Sequence, residues 1–252
     1  YLVLTQNIDI ILPNYNSSNT ISATINSILK QSYKGWNLII VDDASNNETI
    51  KILKKFNKFK KIKIFYLNKN KGAAYCRNLA IKKSKNKYLA FIDSDDLWEK
   101  NKLFLQIGFM KKNNYKFTYT YYRTFFSNKI GFRKIQVPSK FNFSSFTKNT
   151  SIATSSMIVN RAITNKVKFS NTKICEDYIY KCNLLKKIKY AYCYPAFLTK
   201  YQIRENSLQS NKFRNLYWIW KINKKLNRFR FFQNLVSVFL ISINSIKKYG
   251  FK

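Results

Sequence analysis

The stretch IDIILPNYNSSNTISATINSILKQSYKGWNLIIVDDAS, Ile8 to Ser45, carries the alternation from which the fold follows. Its opening, IDIIL (Ile8–Leu12), is almost wholly apolar and too short for a helix. It reads as a strand buried on both faces. Ile21, Ile25, Ile28 and Leu29 then recur on one face at helical spacing. A second apolar run, NLIIV (Asn37–Val41), completes a strand–helix–strand unit. Such a unit implies parallel strands, because the helix returns the chain to the end from which it started.

The same rhythm continues outward. SNNETIKILKKF opens with Ser45 and Glu48 in the spacing of a capping box. IKIFYL (Ile62–Leu67) is a third strand, GAAYCRNLAIKKS a third helix closed near Asn86, and KYLAFI (Lys87–Ile92) a fourth strand. The prediction is an α/β chain with a Rossmann-like, mostly parallel sheet flanked by helices. In open parallel sheets ligands bind beyond the carboxyl ends of the strands. The segments leaving the four strands there are PNYN (Pro13–Asn16), DDAS (Asp42–Ser45), NKNKG (Asn68–Gly72) and DSDD (Asp93–Asp96). The unusual polar residues of this half therefore share one sheet edge.

Charge sharpens the point. The 252 residues hold 47 Lys+Arg against 11 Asp+Glu, a net charge of +36. Seven of those acids fall into three clusters: Asp42 and Asp43; Asp93, Asp95 and Asp96; Glu176 and Asp177. Like charges so close cost free energy unless a cation or a hydrogen-bonding ligand compensates them. The chain has no His, and Cys76, Cys175, Cys182 and Cys193 show no CxxC spacing, so zinc is disfavoured. Hard oxygen ligands alone select Mg²⁺ or Mn²⁺. Four scattered thiols suit a reducing cytoplasm. No signal peptide is visible and no apolar run reaches the ~18 residues that cross a bilayer.

Neither GxGxxG nor GxxxxGK[ST] is present, which argues against a dinucleotide fold and a P-loop. A divalent ion joining carboxylates to a pyrophosphate, Tyr15 stacking on a base and Asp43 accepting from a ring N–H together describe a nucleotide-diphosphate site. The basic charge also suits a nucleic-acid-binding protein. There, however, acids would keep away from the phosphates, so no nucleic-acid partner is expected.

Ile8–Ser45 with NKGAAYCRNLAI and YLAFIDSDDLW resembles the family 2 glycosyltransferases of GT-A fold, over about residues 7–105. TSIATSSMIVNR (Thr150–Arg161), CEDYIY (Cys175–Tyr180) and YQIRENSLQSNK (Tyr201–Lys212) extend it more loosely. The resemblance implies that Pro13 and Tyr15 line the nucleobase pocket and that Asp43 binds the base, usually uracil. Gly72 would let backbone approach the nucleotide, and Arg77 would orient it or brace the loop. In the DxD-type turn, Asp95 would touch ribose or sugar, Asp96 would hold the Mn²⁺ or Mg²⁺ on the diphosphate, and Asp93 would buttress the loop. Asp177 would be the catalytic base that takes the acceptor's proton, which implies one displacement with inversion. Glu176 and Arg204 are candidates for diphosphate or acceptor contacts. Relatives often have histidine at the place of Arg204, which cannot titrate near neutrality.

The implied activity is metal-dependent transfer of a single sugar, since the QxxRW signature of processive members is absent. The donor would be a UDP-sugar and the acceptor a glycan or lipid-linked hydroxyl in lipopolysaccharide or capsule synthesis. The alternatives are a basic nucleic-acid-binding protein and a catalytically idle glycosyltransferase-like scaffold. The residues also admit plainer readings: Glu176 and Asp177 favour a helix start by the macrodipole alone, Asp42 could cap the next helix, and Tyr15 is one of eighteen tyrosines. The expected organisation is a nucleotide-sugar half (1–105), an acceptor half (106–205) and a basic amphipathic helical extension (206–252). That extension fits either packing helices or peripheral contact with anionic membrane at its inner face.

Overall fold

The computed structural model describes residues 8–126, 129–172, 174–203 and 212–249. Arg204 and most of YQIRENSLQSNK lie outside the described residues. The expected alternation is present: β1 (Ile8–Asn14), α1 (Ile21–Leu29), β2 (Trp36–Asp42), α2 (Asn47–Lys54), β3 (Ile62–Tyr66), α3 (Ala73–Lys83) and β4 (Tyr88–Phe91). These four strands are parallel, in the order β3-β2-β1-β4.

The chain continues through β5 (Leu97–Trp98), α4 (Lys102–Lys112), β6 (Phe117–Phe126), β7 (Lys129–Ile135), β8 (Lys140–Phe141), α5 (Phe143–Phe146), β9 (Ile158–Asn160), α6 (Glu176–Leu185) and β10 (Ala191–Ile203). The antiparallel β9 bridges β4 and β6, and β10 lies parallel to β6. Among the described residues the result is one mixed sheet of ten strands.

Burial on both faces explains why β1 shows no polar alternation. Ile8, Ile10 and Leu12 share one core with Ile21, Ile25 and Ile28 of α1 and with Leu103 and Ile107 of α4. Ile11 belongs to the opposite core with Ala74 and Ala80 of α3 and Tyr180 of α6. Each fully buried isoleucine contributes about 1.5–3 kcal/mol. Asp9, at the far end of β1 from the expected crevice, is buried too. Its carboxylate accepts from Lys85 N, Asn86 N and Asn86 Nδ2 at 2.6, 2.7 and 2.8 Å. Asn86 therefore serves β1, and α3 ends earlier, at Ser84.

The helix starts differ in one detail from the sequence expectation. Asn46, not Ser45, caps α2, its side chain accepting from Thr49 N at 3.0 Å. Asp42 caps no helix. Its carboxylate accepts instead from Asn14 Nδ2 (2.7 Å), Ser45 Oγ (2.6 Å) and Ser45 N (3.1 Å), tying the ends of β1 and β2 together.

The extension forms α7 (Lys212–Lys225) and α8 (Phe231–Tyr249). A buried polar chain attaches it: Tyr178 Oη donates to Asn223 Oδ1 at 2.7 Å, Asn223 Nδ2 to Ser237 Oγ at 2.9 Å, and Ser237 Oγ to the Thr147 carbonyl at 2.5 Å. Among the described residues, no helix is long and apolar enough to cross a membrane.

Candidate active site

The carboxyl ends of β1 to β4 and the start of α6 hold nearly all the residues singled out above. Pro13 is buried opposite Val41 of β2. Pairing with β4 stops at Ile11, so Pro13 has a sheet neighbour on one side only, where proline is tolerated. Tyr15 follows on the rim, 49% exposed. Asp43 is buried, and its two oxygens accept from Lys71 N (2.7 Å) and Gly72 N (2.8 Å). A carboxylate has about four acceptor positions, so capacity remains for a further donor. Gly72 starts α3 with φ +87°, and a Cβ there would meet nothing within 4 Å. Its backbone angle, rather than crowding by the protein, requires the glycine. A cavity of about 370 Å³ lies along this loop, lined by Tyr66, Leu67, Asn68, Lys69 and Lys71.

The acidic turn after β4 is held from three sides. Thr20 and Thr24 of α1 donate to the Ser94 carbonyl at 2.8 and 3.1 Å. Ser155 Oγ accepts from Asp93 N at 3.0 Å, and Trp98 Nε1 donates to the Ser155 carbonyl at 2.8 Å. From β10, Gln202 N donates to Asp96 Oδ1 at 2.9 Å. Asp96 is fully buried, and its Oδ2 has no hydrogen-bond partner. Burial, Asp95 and Asp93 together push the Asp96 carboxyl well above the usual range, against the hydrogen bonds from Ser155 and Gln202. A divalent cation fits this donor set, because it would occupy the orphaned oxygen and offset the like charges. Among the described residues no three His, Cys, Asp or Glu groups are gathered as a complete metal cage.

Arg77 joins the turn to the acid pair. Its side chain is buried, with Nη2 2.7 Å from Asp93 Oδ1 and Nη1 3.1 Å from Glu176 Oε1. The guanidinium lies over the Phe169 ring at 5.2 Å. Burial disfavours its charge, but Asp93 and Glu176 more than restore it. Of the two roles anticipated for Arg77, bracing is the one its contacts supply. Glu176, expected near diphosphate or acceptor, is engaged by Arg77.

Asp177 Oδ2 accepts from Lys181 Nζ at 2.8 Å and from Thr154 Oγ1 at 3.3 Å, and its Oδ1 accepts from Tyr178 N at 2.9 Å. Burial raises the Asp177 pKa, yet Lys181 and Arg77 outweigh it and hold the carboxyl below the ordinary range. Glu176 goes the other way, raised by burial and by Asp177 against the pull of Arg77. The two carboxyls are thereby split, Asp177 below and Glu176 above the ordinary range.

Two site loops carry unusual backbone. Ala44, directly after Asp43, has φ +60°, and Cys175, directly before Glu176, has φ +61°. Left-handed non-glycine residues cost of order 1–3 kcal/mol each and tend to mark functional loops. All four cysteines are free thiols, and burial pushes each up to about 12.

Lys181, Ser155 and Asn14 were not anticipated from the sequence. Lys181 was within reach, since it stands four residues after Asp177 on a predicted helix. Ser155 and Asn14 act through contacts 62 and 28 residues away, which no local pattern reports.

A mixed sheet that begins with four parallel strands, with an acidic turn after the fourth and an acid pair opening a later helix, is the architecture of the GT-A class. The chain matches the family model Glycosyl transferase family 2 over residues 9–170, and it belongs to that family. It is 36% identical over 217 residues to the UDP-Glc:alpha-D-GlcNAc-diphosphoundecaprenol beta-1,3-glucosyltransferase WfgD of Escherichia coli, covering 85% of this chain and 84% of that protein. Among solved structures, S. aureus TarS 1–349 with UDP-GlcNAc superposes with a TM-score of 0.73 at 18% identity, over 95% of this chain and 75% of that one. The mannosyltransferase PcManGT of Pyrobaculum calidifontis, with GDP-Man and Mn2+, gives a TM-score of 0.71 at 13% identity, over 94% and 70%.

Proposed function

We propose that this glycosyltransferase moves one sugar from a UDP-sugar to a hydroxyl of a lipid-linked glycan acceptor, with inversion, in the synthesis of a surface polysaccharide such as lipopolysaccharide or capsule. The observation that carries the reading is the Arg77 bridge, which ties the acidic turn to the α6 acid pair across 16 and 99 residues of sequence. In this reading the donor-side and acceptor-side acids form one site. The E. coli relative's UDP-Glc donor and diphosphoundecaprenol-linked acceptor support the choice of substrates.

In this reading Pro13, Tyr15 and Asp43 receive the base, and Asp43 fixes the Lys71–Gly72 backbone beside it. Asp95 meets ribose or sugar, and Asp96 holds Mn²⁺ or Mg²⁺. The metal supplies positive charge to the diphosphate leaving group. Asp177 takes the proton of the acceptor hydroxyl, aimed by Lys181 and Thr154. A single base with no second nucleophile gives inversion. The chain would work in the cytoplasm, against the inner face of the membrane that carries its acceptor.

The test is Asp96→Asn. Without ligand its melting temperature should not fall, since a charge that burial opposes has been removed. UDP with Mn²⁺ should stabilise the parent and not the variant. Transfer from a UDP-sugar should drop on the order of a hundredfold or more. Parental transfer by the variant would refute the reading. Absence of UDP and Mn²⁺ binding by the parent would favour the idle scaffold.

A further inference from the structure

Helix α8 is built inside out. Along its first turns the residues facing the protein are polar: Asn234 and Ser237 are buried, Asn234 Nδ2 donating to the Trp220 carbonyl at 2.9 Å. Apart from Gln233, the residues facing outward along these turns are apolar. Phe232 is 76% exposed, Phe239 64%, Leu235 49% and Val236 46%. Their spacing of three, four and seven residues sets them on one face. Phe231 beside them is 64% exposed, and on α7 Phe213 and Tyr217 are 88% and 54% exposed. Scattered exposed hydrophobics need no explanation, but a helix that inverts its amphipathic order does.

The surroundings of this face are uniformly basic. Lys224, Lys225, Arg228 and Arg230 are exposed between α7 and the aromatic start of α8. From Asn206 to Lys252 the sequence contains no Asp or Glu at all. At its other end the same helix contributes Lys247 and Lys248 to a cavity of about 360 Å³ that Arg133 and Lys134 also line. A second copy of this chain would bring an equally positive surface against it, so self-association is opposed by charge.

We infer that the α7–α8 hairpin docks on an anionic lipid bilayer, with Phe231, Phe232, Leu235, Val236 and Phe239 entering the interface and Lys224, Lys225, Arg228 and Arg230 meeting the headgroups. Apolar burial and electrostatic attraction act together there, each weak alone. The inference refines the reading of a membrane-borne acceptor by naming the surface that meets the membrane, and it stands on the geometry of the extension rather than on the catalytic acids.

The full chain should cosediment with phosphatidylglycerol-containing vesicles and at least about tenfold less with pure phosphatidylcholine. The exposed-face variant Phe232→Ser/Leu235→Ser/Phe239→Ser and the reversal Lys224→Glu/Lys225→Glu/Arg228→Glu should each lose about tenfold or more in vesicle affinity. Both should keep the parental response to UDP and Mn²⁺, which shows that they fold. Unchanged vesicle binding by both variants overturns the inference. So does a concentration-dependent dimer, without vesicle binding, that the serine variant dissociates. Asp96→Asn separates the two proposals, because it should sediment like the parent whatever happens to transfer.

Discussion

Asp177 shows how one residue's environment decides its chemistry. It is the catalytic base of our proposal, yet Lys181 and Arg77 hold its pKa below the ordinary carboxylate range. Its base strength is given up in exchange for reliable ionisation, and aim matters more than basicity for an in-line proton transfer. Lys181→Met removes the largest opposing influence and leaves burial unbalanced. The acid limb of kcat/KM should then move to higher pH, with kcat reduced at neutral pH. A limb that stays in place while kcat falls would mean that another group is the base. The acids of the proposed site stand out because carboxylates are so rare in this chain. Their partners do not, because Arg77, Lys181 and Ser155 are ordinary residues made specific only by distant contacts.

At the scale of elements, Arg77 couples α3, the turn after β4 and the start of α6. It satisfies two acids that are themselves largely buried, with side-chain exposures of 28% for Asp93 and 20% for Glu176. Arg77→Met would strand both, at a cost of about 3 kcal/mol after allowance for their residual exposure. Arg77→Lys can reach only one of the two acids as a point charge. It should therefore recover part of the stability and little of the activity, as chemical denaturation and steady-state transfer would show. Equal activity of Lys and Arg forms would deny the bridge its role. The elements flanking this clamp, β1 to α3, follow local rules of period and turn. The later strands do not. β10 contains Pro195 and loses its register with β6 between Tyr194 and Phe197 and again between Phe197 and Thr199, so its periodicity is broken where it matters.

The whole molecule has an unusual titration behaviour. With no His, little else changes charge near neutrality, but burial drives Lys102 down to about 7 and Lys248 down to about 8. Lys102 is fully enclosed, donating to Gln106 Oε1 at 2.7 Å and lying over the Trp98 ring at 4.5 Å. Between its folded value and its ordinary value, the unfolded chain binds a proton that the native chain does not. Stability should therefore rise with pH from about 7 upward and be flat below, by on the order of 1–2 kcal/mol over two pH units. Denaturant midpoints across that window would show the rise, and Lys102→Met should remove the part that begins near pH 7, leaving the rise from about 8 that Lys248 contributes. A variant with the same slope would place the effect elsewhere. The parallel half of the fold and the presence of C-terminal helices could both be read from the chain. The inverted face of α8 could not, since an apolar stretch broken by Asn and Ser looks like a core helix until its orientation is known.

On the proposed mechanism, the left-handed turns at Ala44 and Cys175 set durability against catalysis. Each holds an acid loop in a shape the backbone would rather leave, and the grip comes from the hydrogen bonds around Asp43 and the Arg77 clamp. Selection for heat resistance alone would relax these loops first, and a lineage that drifted toward robustness would be expected to lose sugar transfer before it lost the sheet.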